Sequence, residues 1–427
     1  MMQLQSEMAA LVGAAHVHNQ PGAIQGQAPL MRVCPADREE LAAVVAVAYQ
    51  HGVGVVPQGG GTKQQWGHPP SSGFILLDTT RLNRVLIYEP DDLTISVEAG
   101  MTLGMLTATL AANGQMLPLD APLPARSTVG GLLATGIDGP RRLGYSSSRD
   151  LLIGVQVVEA NGRFSKAGGM VVKNVSGFDM MKLYIGSLGS LAIIVGANFK
   201  LIPRPRAAAT IACAFEQPAA AFSLIHAIQA SQLTPVAVEY LHGSAPPGLE
   251  AQAPLVVAVC AEGLPAAVER HVRDVSSMAE RSAAVGVTLL RDDPHEAVWA
   301  AINDLSQTDA LNPDEMVLRL SCLPADLERA VTDASDLAHR HALKLRIVAR
   351  ALSGMAYLRI QSHDAAALEN YHHALLAAWP HISLLAGAAK QKAGAHIWGR
   401  AIPNLDLMQR IKHEFDPQNR LNPGRYI

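Results

Sequence analysis

Pro57-Gln58-Gly59-Gly60-Gly61-Thr62-Lys63 decides how this chain is read. It follows directly on Val53-Gly54-Val55-Val56, a short apolar run expected to be a buried strand. Three glycines in a row after such a strand let several backbone N–H groups approach an anion, an approach that side chains would block. Thr62 adds a hydroxyl donor. The stretch is not a G-x-x-x-x-G-K-[ST] phosphate loop. Nor is it a G-x-G-x-x-G turn opening a helix, because Lys63-Gln64-Gln65-Trp66-Gly67 does not continue as one. By itself it fits an ordinary glycine-rich turn equally well.

Two further segments share its character. The first comprises Leu119-Asp120-Ala121-Pro122, Ser127-Thr128-Val129-Gly130-Gly131, Ala134-Thr135-Gly136 and Gly139. Ser127 and Thr128 can cap a helix starting near Gly130, and a helix N-terminus favours a phosphate. Gly131, Ala134 and Gly136 leave room for a flat ring or a second phosphate, although close helix-to-strand packing also selects small residues. The second runs from Val172-Lys173-Asn174-Val175-Ser176-Gly177-Phe178-Asp179 to Gly186-Ser187-Leu188-Gly189-Ser190-Leu191, followed by Ile193-Ile194-Val195. That apolar run can offer backbone groups to the edge of a base. Lys173 reads as a surface charge or as an anchor for the turn at Asp179.

Around these segments the pattern is mixed. Residues 1–28 are small and polar with little period and are expected to form an N-terminal arm. Asp37 should cap a helix reaching about residue 50, with Glu39 and Glu40 in its first turn. Strands are expected at 74–77, 84–88, 93–97 and 116–119, and a helix at 102–112. Runs at 151–159 and 163–166 flank Asn161-Gly162, a hairpin signal. A long apolar strand, 191–202, ends at Pro203-Arg204-Pro205, where a domain boundary is expected. Beyond it, 209–215, 218–231, 235–241, 254–261 and 264–284 read as strand, helix, strand, strand, helix. The order recurs at 315–321, 325–342, 343–348, 355–361, 364–378 and 382–385. Each half approximates β-α-β-β-α-β, and two such halves could pair into one sheet with helices on one face. The end, 405–415, reads as a helix with an irregular tail.

Composition limits the function. The 427 residues suggest two or three domains, and 49% hydrophobic against 17% charged residues excludes disorder. Lys+Arg is 34 against Asp+Glu 37, and aromatics are only 4%, so neither the charge nor the stacking groups of a nucleic-acid binder are present. Cys34, Cys213, Cys260 and Cys322 are far apart, which argues against an iron–sulfur or zinc site from thiols of this chain. The histidine pairs His16/His18, His339/His341 and His372-His373 lack further ligands at metal spacing, so no metal is expected. No secretory signal or spanning segment is read, and a cytoplasmic protein is expected.

Taken together, the glycine-rich segments resemble the FAD-binding domain of vanillyl-alcohol-oxidase-type (p-cresol methylhydroxylase, PCMH-type) flavoproteins. The matching pieces are Pro57-x-Gly59-Gly60-Gly61-Thr62, Ser127-Thr128-Val129-Gly130-Gly131 with Gly136 and Gly139, Lys173-Asn174-x-x-Gly177-x-Asp179, and Gly186-Ser187-Leu188-Gly189-Ser190-Leu191. The tail, Phe415-Asp416-Pro417 to Leu421-Asn422-Pro423-Gly424-Arg425, looks like the end of FAD-linked 2-hydroxyacid oxidases. The resemblance implies an α+β chain. After the arm would come a two-part PCMH-type FAD-binding domain (29–205) and a cap of two ferredoxin-like halves (206–400), and 401–427 would return to the FAD domain. It implies FAD held non-covalently, because no His or Cys stands in the glycine loop. Its diphosphate would lie on the backbone of Gly59, Gly60, Gly61, Thr62 and Lys63 and on Thr128, Val129, Gly130 and Gly131, with the adenine side near Ile193 to Val195, and Pro57, Gln58 and Ser127 would also belong to the site. Leu119, Pro122, Ala134, Gly136, Gly139, Gly189, Ile193, Ile194, Val195 and Asn422 would complete the cofactor site.

Within that family the chain is most similar to the FAD-binding E-type subunits of bacterial glycolate oxidases. Catalytic members carry a Gly-His-x-Gly-Asp-Gly-Asn-type motif near the end of the cap. Here that region is Ala389-Lys390-Gln391-Lys392-Ala393-Gly394-Ala395-His396-Ile397-Trp398-Gly399-Arg400, without the metal-ligand His and its acidic neighbour. The resemblance implies a small 2-hydroxy acid substrate, a larger FAD-containing catalytic subunit and an iron–sulfur subunit as partners. Two outcomes stay open: oxidation of glycolate or a similar acid on this chain, or an electron-handling role with turnover on a partner. A stand-alone FAD-dependent oxidoreductase of another small alcohol or hydroxy acid is a third. Arg319, Arg359, His396 and Arg400, with Glu239, are the cap residues expected to meet a substrate, because carboxylate orientation uses Arg and proton acceptance uses His. Exposed or paired side chains are the ordinary state of such residues.

Overall fold

The computed structural model describes residues 2–171, 178–243, 245–249, 253–309, 311–392 and 395–426. The fold is α+β. It divides into two compact units, Met1–Asp138 with Ser147–Pro203 and Ile402–Ile427, and Gly139–Ser146 with Arg204–Ala401.

The first unit is built on two sheets. One has the order Val17–His18, Arg32–Val33, Phe74–Asp78, Gly54–Gln58, and its last two strands run parallel. Helix Arg38–Gln50 starts at Asp37, whose carboxylate accepts from Glu40 N at 2.8 Å. Leu41, Val44, Val45 and Ala48 lie at helical spacing and bury against Val55, Ile75 and Leu77. The other sheet is antiparallel, in the order Val85–Glu89, Thr94–Glu98, Ile193–Lys200, Leu152–Val158, Phe164–Gly168. The long strand expected at 191–202 breaks after Lys200, and Ile202–Pro203 leaves to pair with Gln115–Met116, all that forms of the strand expected at 116–119.

Residues 1–28 are not a free arm. Met2–Val12 is a helix whose Leu4, Met8 and Val12 bury in the same core as the helix Arg38–Gln50, and Val17–His18 pairs with Arg32–Val33. The spacing of four between Leu4, Met8 and Val12 is a single apolar stripe, too narrow to stand out among small residues.

The second unit carries one eight-stranded sheet in the order Gly286–Leu290, Ala207–Phe215, Leu255–Gly263, Ala237–His242, Lys344–Arg350, Met355–Gln361, Glu315–Ser321, Ile382–Ala386. Each half is a split β-α-β-β-α-β unit, and the halves join where Ala237–His242 pairs with Lys344–Arg350. Helices Pro218–Gln229, Pro265–Arg281, Leu327–Arg340 and Ala365–Ala378 bury one face, where the Phe222 and Tyr240 rings stack with centroids 5.1 Å apart. Two elements had no counterpart in the expected pattern. Strand Gly286–Leu290 completes the first half, and helix Asp292–Asp304 packs Val298, Trp299 and Ile302 on the opposite sheet face. On that opposite face Arg141 and Tyr145 reach Glu262 at 2.9 and 2.7 Å.

Helix Ala365–Ala378 turns His372 inward, and its Nε2 has no hydrogen-bond partner among the described residues. Burial, then the nearby His373 and His396, pushes its pKa down to about 4. The folded chain therefore keeps this ring neutral, while the unfolded chain takes up a proton at the ordinary value of 6.5. The associated stability is complete above that value and falls as pH drops towards 4, by on the order of 3 kcal/mol in all. His372→Gln should flatten this part of the stability–pH curve in denaturant titrations. An unchanged slope would contradict the assignment.

Candidate functional site

The first unit holds a groove whose free space, including the part open to solvent, is about 890 Å³. The strand Gly54–Gln58 delivers Gly59, Gly60 and Gly61 to one wall. The segment Arg126–Thr128 packs so closely against them that a Cβ on Gly60 would lie 1.8 Å from Arg126 O, and one on Gly59 would lie 2.1 Å from Thr128 Oγ1. Gly61 has φ +72, open to glycine at no steric cost. The glycines are thus required by the meeting of two loops. Across this seam the Thr62 and Ser127 hydroxyls are 3.2 Å apart, and Ser127 donates to Pro122 O at 2.5 Å. Thr128 caps the seven-residue helix Val129–Thr135 by accepting from Gly131 N at 3.2 Å. A Cβ on Gly131 would meet only the Thr128 hydroxyl, so its other side faces the groove.

The C-terminal tail closes the groove. Leu421 bridges in parallel to Val55, and Asn422 N donates to Val55 O at 2.8 Å. Asn422 adopts φ 47, a left-handed conformation that Asn tolerates better than most residues. Its side-chain amide donates to Leu188 O, while its Oδ1 is buried without a partner among the described residues. Lys412 fixes the tail from below, donating to Asp416 Oδ2 at 2.5 Å, Ser190 O at 2.9 Å and Leu421 O at 3.0 Å. Burial lowers the Lys412 pKa against the raising effect of Asp416.

Among the described residues, Lys63 and Arg425 are the charged members of this lining, and both are cations. Arg425 is 4% exposed. Its guanidinium donates to Gln64 Oε1 and Gln64 O at 2.9 Å and to Trp66 O, all neutral oxygens. Burial pulls it down to about 10, so it stays charged near neutral pH. A buried guanidinium held by neutral groups, with a lysine on the same lining, favours an anion. Together with the glycine seam, the inward Asn422 and the apolar Leu132, Ile137, Ile193 and Ile194, the lining fits a dinucleotide whose diphosphate carries the negative charge.

Most sequence-expected cofactor residues meet in this groove. Pro57, Gln58, Gly59, Gly60, Gly61, Thr62, Lys63, Ser127, Thr128, Gly130, Gly131, Ala134, Gly189, Ile193, Ile194 and Asn422 line it. Leu119, Pro122, Val129, Gly136, Gly139 and Val195 are outside the lining. Val129 is in the core, Pro122 accepts from Ser127, Gly136 ends the short helix at φ 60, and Val195 O is taken by Ala99 N at 3.0 Å. Gly139 belongs to the second unit. Lys173, Asn174 and Gly177 lie outside the described residues. Sequence reasoning missed Arg425, Gln64, Trp66 and Thr79. Only Arg425 left a signal, as the charged end of the quoted tail.

The expected substrate residues of the second unit do not converge. Arg400 donates to Leu376 O and Ala377 O at 3.1 and 2.5 Å and so caps a helix. His396 is exposed. Glu239 is buried 3.9 Å from Arg350. Arg359 lies in a pocket with Arg346, Tyr357, Val317, Val348, Gln307 and Asp304, where it donates to Glu315 at 3.2 Å and Gln307 O at 2.6 Å. Arg319 is half-buried on the same sheet face as Arg359, outside that lining. Arg346, which sequence reasoning did not single out, is the exposed cation there.

Two variants test the groove. Gly60→Ala should force the loops apart and leave little flavin per purified chain, read from visible absorbance. Arg425→Gln keeps some hydrogen bonds but removes the charge, and should weaken FAD binding roughly ten- to hundredfold while the fold persists.

Comparison with known proteins now adds to the geometry. A profile described as "FAD binding domain" matches residues 29–178, and one described as "FAD linked oxidases, C-terminal domain" matches 204–426. Glycolate oxidase subunit GlcD of Bacillus subtilis is 26% identical over 415 residues, covering 92% of this chain and 88% of that one. Glycolate oxidase subunit GlcE of Escherichia coli is 35% identical over 158 residues, covering 37% of this chain and 45% of that one. The crystal structure of p-cresol methylhydroxylase superposes with a TM-score of 0.75 at 15% identity, covering 99% of this chain and 96% of that one, a likeness of fold. The C-terminal profile alone takes in just over half of the sequence, and with the FAD-binding domain ahead of it the chain belongs to the FAD-linked oxidases, as an FAD-dependent oxidoreductase.

Proposed function

We propose that this chain is an FAD-binding subunit of a complex that oxidises glycolate or a similar small 2-hydroxy acid to the 2-oxo acid and passes the electrons to an iron–sulfur partner. The observation that carries the reading is the cationic, glycine-walled groove of the first unit, in a chain whose relatives include two named glycolate oxidase subunits. Bound FAD supplies a two-electron acceptor for an alcohol carbon. Gly59 to Gly61, Thr62, Lys63 and Arg425 would hold its diphosphate, and Ile193 and Ile194 its adenine side. Among the described residues the lining contains no His, Cys or Tyr, which supports non-covalent FAD. In the second unit Arg346 would take the substrate carboxylate, since Arg359 is already engaged by Glu315. No described helix is long and apolar enough to cross a membrane. That is compatible with a cytoplasmic complex attached to the membrane through partners.

A second reading has its own support. The region 389–400 lacks the metal-ligand His and acidic residue of catalytic relatives, His396 is exposed, and Arg400 is used as a helix cap. On that basis this chain would carry flavin and handle electrons while a larger FAD subunit turns substrate over. The similarity to GlcE supports the E-type assignment, but GlcD aligns over more of the chain.

Anaerobic addition of glycolate to the purified holoprotein separates the two. Loss of the visible flavin band is expected if the chain oxidises the acid itself. A band that persists until a larger flavoprotein partner is added supports the second reading. Arg346→Ala should raise KM for the acid roughly ten- to hundredfold with kcat nearly kept, as expected for loss of one charge-assisted hydrogen bond. Protein that folds but takes up no FAD would overturn both readings.

A further inference from the structure

We propose that the second unit binds one divalent ion of the zinc class through Cys260, Glu262 and His295. Strand Leu255–Gly263 sets Cys260 and Glu262 two residues apart, hence on one sheet face, and helix Asp292–Asp304 lies over that face and brings His295 to them. The three ligating atoms all lie within 4.8 Å of one another. Cys260 Sγ is 3.4 Å, and His295 Nε2 3.7 Å, from the same carboxylate oxygen, Glu262 Oε1. A tetrahedral ion with Zn–S of about 2.3 Å and Zn–N or Zn–O of about 2.0 Å needs ligand separations of about 3.3–3.6 Å. The cluster is therefore close to closing on an ion without moving its backbone.

The histidine carries the second observation. Its side chain is 1% exposed, and Nε2 has no hydrogen-bond partner among the described residues, because 3.7 Å to Glu262 is too long for one. Its other nitrogen is fixed: Nδ1 lies 2.8 Å from Thr210 Oγ1, which also accepts the Trp299 indole N–H at 2.9 Å. With Nδ1–H donating to that hydroxyl, Nε2 directs its lone pair into the cluster. Such an outer hydrogen bond orients metal-ligating histidines in general.

Competing groups are present and compatible. Arg141 Nε donates to Glu262 Oε1 at 2.9 Å, and Tyr145 OH donates to Oε2 at 2.7 Å. Oε1 keeps a second lone pair for an ion. Arg141 also lies 3.6 Å from Glu296, so its charge is shared with a carboxylate outside the ligand set. The mixed sulfur, nitrogen and oxygen set suits Zn²⁺ or Co²⁺ rather than Mg²⁺ or Ca²⁺. Ion entry releases the Cys260 thiol proton to solvent and leaves the fourth position for water. None of the three residues lines either pocket described above.

Cobalt titration of the FAD-loaded full chain, stripped first with a chelator, tests the site. One equivalent should bind with a thiolate-to-cobalt charge-transfer band and d–d bands at longer wavelength than oxidised flavin absorbs. Zinc should displace it, one for one. Cys260→Ser should abolish the charge-transfer band, and His295→Gln should weaken binding at least tenfold, with flavin content unchanged. Absence of binding by the folded wild type, or a charge-transfer band that survives in folded Cys260→Ser, overturns the proposal. Should the variants not fold, X-ray absorption of the wild-type cobalt protein decides: one sulfur among nitrogen and oxygen ligands supports the site, and no sulfur overturns it.

Discussion

The carbonyl oxygen of Arg126 stands where any side chain at position 60 would have to go. This single steric fact ties the loop after the strand Gly54–Gln58 to the segment before the helix Val129–Thr135, and the groove exists only because the two are in contact. Everything else around it adjusts to that seam. Thr62 and Ser127 satisfy each other across it, Thr128 spends its hydroxyl on capping, and the tail lies along Val55 to supply Asn422 and Arg425. The glycines thus serve packing first, and the backbone groups they leave uncovered are a consequence of it.

Much of this was legible in the chain. The cap at Asp37, the Asn161-Gly162 hairpin and the doubled strand–helix order of the second unit all follow from local rules, because turn chemistry and apolar period act over a few residues. The glycine segments were legible as a set. What stayed hidden depends on contacts distant in sequence. Arg425 is an unremarked terminal charge until Gln64 and Trp66 surround it. The helix Met2–Val12 buries a stripe one residue wide. Strand Gly286–Leu290 has Val287 and Leu289 exposed, so its apolar run carried no alternation to mark it.

The second unit shows how a duplicated order yields unequal halves. Both halves put four strands in the same relative positions, and the helix-bearing face is continuous across the join at Ala237–His242 and Lys344–Arg350. The opposite face is divided. Helix Asp292–Asp304 covers the first half with Trp299 and its neighbours, while the second half presents Arg319, Arg346 and Arg359 with Tyr357. Under the helix, Arg141, Tyr145, Glu262, Thr210 and His295 form a buried network that dispenses with solvent.

The bridge between Val55 and Leu421 joins residues separated by nearly the whole sequence. Closing so long a loop has an entropic cost that grows with the logarithm of its length, and such distant pairing slows the search for the native state. Residues 204–401, however, form most of a second compact body within that loop, completed by Gly139–Ser146. Once it has condensed, the disordered length to be closed shrinks accordingly. The body that fills the loop thus shortens the path by which the tail reaches Val55, so its condensation favours closure of the groove.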